Sequence, residues 1–146
     1  MTKDLKEKAI DFKGKKYVLV SDRVLYFNET YPDGSITTEL VSSADADTVV
    51  MKATVKPNDK QTFTGYSQAT WGEGYINKTS ALENAETSAV GRALAFMGIG
   101  VIESIASIDE INKAETMPAW KKKINEKNDK IKKESELQYQ NNEEPF

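Results

Sequence analysis

The stretch from Ser80 to Gly98 constrains the fold of this 146-residue chain more than any other. Ser80-Ala81-Leu82-Glu83 has the Ser-x-x-Glu form of a capping box, whose first and last side chains satisfy free backbone amides at a helix start. Gly98 can take the left-handed conformation that ends a helix. In between, Leu82, Ala85, Ala89, Ala93 and Phe96 fall on one face, widened by Val90, Leu94 and Met97. An apolar face made largely of alanine lets a helix lie close against a sheet, so the chain needs a sheet for this helix to cover.

The segments upstream supply one. Thr48 to Lys56 alternates Val49, Met51, Ala53 and Val55 with Val50, Lys52, Thr54 and Lys56, the period of a strand with one buried face. Pro57-Asn58-Asp59-Lys60 reads as a hairpin turn, and Gln61 to Thr70 as the returning strand. Ser35 to Ser42, rich in Ile, Thr, Leu and Val, suits a third strand. Ahead of it, Val24, Phe27 and Tyr31 recur at helical spacing, with Ser21 as the expected N-cap, Asp22 in the first turn, and Tyr31-Pro32-Asp33-Gly34 as the stop. Leu5 to Phe12 reads as a further short helix broken by Gly14, and Tyr17 to Val20 as a short apolar run. The predicted class is α+β: an antiparallel, curved, three- to four-stranded sheet packed by a long helix.

The composition changes near Pro118. Lys121 to Lys133 holds seven lysines against Glu126 and Asp129, a local charge of +5, and Gln138, Gln140, Asn141 and Asn142 follow before Glu143-Glu144-Pro145-Phe146. So few apolar residues cannot offset the entropy of ordering, and the expectation is a disordered or frayed-helical tail. The domain is therefore placed at 1–115, a lysine-rich linker at 116–142 and an acidic tip at 143–146.

The chain has no cysteine and no histidine. Disulfides, thiol nucleophiles, Cys/His zinc sites and imidazole acid–base catalysis are excluded on that ground. With no Walker A sequence or EF-hand loop either, the expectation is a protein that is not an enzyme and has no cofactor or metal. No apolar run approaches the roughly 18 residues of a membrane span. Met1 to Lys8 is charged rather than signal-like, so a cytoplasmic location in a bacterial host cell is expected. The net charge of −3 runs against phosphate binding, although the distribution of charge matters more than its sum.

Two stretches resemble the DNA-binding domain of the Rad-fifty-two-type single-strand annealing superfamily, which includes phage annealing proteins. One is Asp22-Arg23-Val24-Leu25, Asn28-Glu29 and Tyr31-Pro32-Asp33-Gly34. The other is Gly65-Tyr66, the loop Gly72-Glu73-Gly74, and a helix carrying Ala81, Ala85, Thr87, Arg92, Ala93 and Leu94. The ending Glu143-Glu144-Pro145-Phe146 resembles the acidic tip of bacterial single-strand-binding proteins. The resemblance implies a single-stranded-DNA-binding protein that promotes annealing without ATP in recombination, repair or replication. It also implies a homo-oligomeric ring or filament, and a host replication or repair partner recruited through Glu143, Glu144, Pro145 and Phe146.

The candidate DNA contacts are Arg23, Lys52, Lys56, Trp71, Tyr75, Lys78 and Arg92. Arg23 and Arg92 either meet phosphate or pair with nearby acids. Lys52 and Lys56 form either a basic stripe or an ordinary solvated sheet face. Lys78 lies just before the long helix, where amides and dipole favour phosphate, or is a plain loop lysine. Trp71 and Tyr75 either stack on bases or pack; Tyr66 is expected in the core. The run Lys121 to Lys133 either holds nucleic acid or is merely solvated. Three rivals are kept: a coating protein on a five-stranded OB barrel without annealing activity, a nuclease using some of Asp45, Asp47, Glu73, Glu83 and Glu86, and a phage protein that disarms a host factor with the C-terminal tip as bait.

Overall fold

The computed structural model describes residues 3–74, 76–105, 108 and 127–134. Its element order is α1 (Lys3–Glu7), β1 (Ile10–Phe12), β2 (Lys15–Tyr17), α2 (Val20–Thr30), β3 (Ser35–Leu40), β4 (Thr48–Asn58), β5 (Gln61–Thr70), a 3-10 turn (Ile76–Lys78) and α3 (Ala81–Phe96). The fold is α+β. The alternation in β4 does what its period requires: Val49, Met51, Ala53 and Val55 are buried under α3, and the residues between them face the other way. β4 is the central strand of the order β3-β4-β5, antiparallel to both neighbours. It runs two residues into the expected turn, through Asn58. Asn58 Oδ1 accepts bonds from the amides of Lys60 (2.9 Å) and Gln61 (3.0 Å) and so makes the turn.

Gly65 decides how closely α3 approaches. A Cβ there would stand 2.5 Å from both the Ala89 carbonyl oxygen and the Ala93 amide nitrogen, so only glycine admits the helix backbone at this point of β5. α3 ends as expected: Gly98 has φ +93°, its amide donates to Ala95 O (2.8 Å), and the Ile99 amide donates to Leu94 O (2.9 Å). These are the paired bonds of a Schellman motif.

The start of α3 differs from the expectation. Ser80 makes no side-chain cap hydrogen bond; instead Asn84 Nδ2 donates to Oδ1 of the buried Asn77 (2.9 Å), tying the first turn to the preceding 3-10 turn. The buried surface of α3 also differs. Leu82 and Phe96 are exposed, while Ser88, Gly91 and Ala95 are buried with the alanines. The reason is that α3 is packed on more than one side: the sheet covers one, and Val20 of α2 abuts Gly91 on another. A single-face reading cannot represent a helix covered twice.

Two N-terminal expectations are also corrected. Residues Leu5 to Phe12 are not one helix: α1 stops at Glu7, and Ile10–Phe12 pairs with Lys15–Tyr17 across the two-residue turn Lys13-Gly14, where both φ angles are positive. α2 begins at Val20 with Leu19 as its N-cap rather than at Ser21. Its buried residues are Arg23 and Phe27, one turn apart, and Phe27 stacks at a tilt on Tyr31 with ring centroids 5.3 Å apart.

The chain divides into two units, Met1–Asp109 and Glu110–Phe146. All the elements above belong to the first. In the second, residues 127–134 are helical with exposed side chains. No described helix is long and apolar enough to cross a membrane.

Candidate nucleic-acid interface

Antiparallel register places directly opposed residues on the same side of a sheet. On the face away from α3 this gives five rows between Thr48 and Lys56 of β4, one of them Thr48 opposite Thr70. Ser35 opposes Lys56; Thr37, Thr54 and Thr64 cross all three strands; so do Glu39, Lys52 and Tyr66; Val50 opposes Gln68. Most of these side chains are exposed, and Tyr66 is 52% exposed. Lys52 Nζ lies 5.9 Å from the centre of the Tyr66 ring, a cation–π contact on the open face. Tyr66 is therefore not a core residue. Its neighbour Gly65 takes the inward position, and the period of two turns Tyr66 outward.

The other expected contacts do not join this surface. Arg23 is 2% exposed. Its Nε donates to the Val18 carbonyl (2.9 Å) and its Nη1 to the Gly91 carbonyl (3.3 Å), with the guanidinium 5.0 Å from the centre of the Tyr17 ring. Burial holds its pKa below the usual arginine value, with Tyr17 acting in the opposite sense. The expectation of an exposed phosphate contact is corrected: this arginine fastens α2 to α3 from within. Arg92 is on α3, with its guanidinium 5.7 Å from the Phe96 ring centre. Lys78 is exposed at the end of the 3-10 turn. Trp71 is 41% exposed, with its amide donating to Asp47 O (2.9 Å). Tyr75 and residues 143–146 lie outside the described residues. The expected set is thus divided among an interior site, a helix, a loop and an open sheet face, and only Lys52 and Lys56 share a surface.

The charge is divided in the same way. The helices carry Asp22 and Glu29 on α2, Glu83, Glu86 and Arg92 on α3, and both signs on α1. Glu86 Oε1 accepts a bond from Thr38 Oγ1 (2.6 Å). The open face carries Lys52 and Lys56 against Glu39. Among the described residues no three acidic side chains gather where they could hold a metal ion.

The threonine row is what sequence reading missed. Each threonine looks like an ordinary strand residue alone, and only the register of two hairpins brings three of them into line.

Residues 25–97 match the family model described as Slr1353 N-terminal dsRNA-binding domain-like. No curated protein matches the chain. The family match overturns both earlier resemblances, to the Rad-fifty-two-type annealing superfamily and to single-strand-binding proteins, and with them the single-strand annealing function and its coating rival. The physical reason is visible in the motifs themselves. Gly65 and the alanines of α3 are what any helix pressed on a three-stranded sheet requires, and Tyr31 to Gly34 is what any helix needs to turn into a strand. They report packing and carry no information about annealing. The sheet is also three-stranded, where an OB barrel has five strands.

Proposed function

The chain belongs to the Slr1353 N-terminal dsRNA-binding domain-like family, and from that membership we propose that it binds double-stranded RNA through the open face of the β3-β4-β5 sheet. The observation that carries the choice of surface is Lys52-x-Thr54-x-Lys56 on the central strand, with Tyr66 beside Lys52 and hydroxyls on both flanking strands. Phosphate contacts supply most of the affinity for a duplex, and they need cations on a surface free to approach it. α2 and α3 set four carboxylates against Arg92 outside the interior, a net negative charge that repels phosphate.

The matched segment is acidic as a whole. Five cations, Lys52, Lys56, Lys60, Lys78 and Arg92, stand against nine acids, Glu29, Asp33, Glu39, Asp45, Asp47, Asp59, Glu73, Glu83 and Glu86, a net charge of −4. Binding by this surface is accordingly weak per domain, dependent on orientation and sensitive to salt. The lysine run from Lys121 to Lys133 adds attraction that is indifferent to sequence and sugar. The proposed activity is binding without chemical turnover, and the proposed compartment is the cytoplasm.

The test is fluorescence anisotropy of a labelled RNA duplex of about 20 base pairs, longer than the roughly 16 that a double-stranded-RNA-binding domain spans. The full chain is compared with its Lys52→Glu/Lys56→Glu variant at several salt concentrations. The tail lysines are common to both proteins, so the difference reports on the sheet. The expected result is a loss of at least tenfold in affinity at low salt. Equal binding by the two proteins would refute the assignment.

A further inference from the structure

We infer that the open edge of β3 is a homodimer interface: β3 of a second copy of this chain adds to it antiparallel, about a two-fold axis at Thr38, and joins the two sheets into one of six strands. The pairing is independent of the RNA reading, and its test uses no nucleic acid.

β3 is an edge strand in the order β3-β4-β5. The Val41 amide donates to Val50 O (2.8 Å), so the backbone polar groups of Val50 point toward β3. Along an antiparallel strand these groups alternate sides. Those of Lys52, Thr54 and Lys56 therefore point the same way and meet Glu39, Thr37 and Ser35. The amides and carbonyls of Ile36, Thr38 and Leu40 are left on the outer edge, and no hydrogen bond joins these backbone groups to another described residue. Sheets commonly guard such an edge with lysine, proline or a bulge. Ser35–Leu40 holds none of these, and its pairing with β4 runs without a shift of register. Its end is apolar and open instead, with Leu40 39% and Val41 52% exposed. α3 packs mainly on β4 and β5, which leaves Leu40 uncovered on that side.

The strand is complementary to itself in one register. Residues with free edge groups must meet residues with free edge groups, and an axis at Thr38 places Ile36 opposite Leu40 of the second copy, twice. Three residue pairs then exchange backbone hydrogen bonds, and the two Ile36–Leu40 contacts carry the apolar layer across the junction. On the open face Thr37 meets Glu39 of the second copy, and each Glu39 keeps Lys52 across its own sheet. An axis at Glu39 would set two carboxylates face to face. An axis at Thr37 would move Leu40 opposite Gly34 and remove its apolar partner. Charge, hydrogen bonding and burial thus select the same arrangement. Such a contact closes at two copies and sets two Lys52/Lys56 pairs on one continuous face.

The experiment is sedimentation equilibrium of the full chain from micromolar to near-millimolar concentration. One strand pair is a small interface, so a monomer–dimer equilibrium in the micromolar range is expected. Thr37→Glu sets a carboxylate opposite Glu39 of the other copy, twice per dimer, and should weaken association severalfold. Thr37→Lys sets an ammonium there and should leave association unchanged or tighten it. Circular dichroism of both variants should match the wild type, since Thr37 is exposed. The chain has no cysteine, so Thr38→Cys introduces a single thiol at the axis, with Cα atoms about 5.5 Å apart and within disulfide reach. Thr38→Cys should cross-link on oxidation. Thr37→Cys should not, because its two copies are diagonal neighbours about 7–8 Å apart. A chain that stays monomeric throughout overturns the self-pairing and leaves the edge to a strand of another protein. A dimer on which Thr37→Glu and Thr37→Lys act alike, or which Thr38→Cys fails to cross-link, lies at another surface and overturns it as well.

Discussion

The guanidinium of Arg23 donates to the backbone carbonyl of Gly91, 3.3 Å away and 68 residues along the chain. One charged side chain thereby closes the α2–α3 contact from inside, where Gly91 has no side chain to hold Val20 at a distance. The same arginine donates to Val18 O at 2.9 Å, so its removal takes a charge-assisted hydrogen bond from two carbonyls at once.

We therefore expect Arg23→Ala to destabilise the domain by about 2–4 kcal/mol, the sum of lost charge-assisted bonds and the space left behind. Arg23→Lys should recover little, because an ammonium lacks the planar fork that reaches both carbonyls. Urea denaturation followed by circular dichroism measures this. A wild-type midpoint for Arg23→Ala would mean that the buried bonds contribute nothing.

Gly65→Ala is the sharpest test of how α3 sits on the sheet. The added methyl would stand 2.5 Å from two backbone atoms of α3, neither of which can swing aside as a side chain tip would. The expected cost is about 1–3 kcal/mol or more, read as a fall in thermal midpoint. A neutral substitution would show that the helix lies farther from β5.

Tyr66→Ala should behave in the opposite way. With the ring half exposed and its contact with Lys52 on the surface, the loss of stability should be no more than about 1 kcal/mol. RNA affinity should fall severalfold, because the ring no longer flanks the lysine. A large drop in stability with unchanged binding would return Tyr66 to a structural role.

Lys52 and Arg92 make a discriminating pair. Lys52→Ala should weaken RNA binding and reduce the steepness of its salt dependence by about one phosphate contact. Arg92→Ala should leave both unchanged, since Arg92 lies on α3 over Phe96, in the layer opposite the open face. If Arg92→Ala weakens binding and Lys52→Ala does not, the helix layer is the interface.

The sequence by itself determined the elements from α2 to α3. Alternation specifies β4 because a one-residue slip would expose every buried side chain, and the turn after it specifies β5 as the returning strand. The alanine-rich helix closed by Gly98 is equally local, since its end depends on a conformation that glycine takes without cost. Local reading failed where two segments compete for one residue. Leu5, Ile10 and Phe12 read as lying near one side of a short helix, yet the Lys13-Gly14 turn draws Ile10 and Phe12 into a hairpin. Arg23 has the pattern of an exposed helix cation until Val18 O and Gly91 O close around it, and Tyr66 looks like core until Gly65 takes the inward position. The threonine row and the lysines on either side of Thr54 belong to the tertiary structure alone. They exist as a surface only because two hairpin registers align three strands, and register is a relation between segments that no single segment encodes.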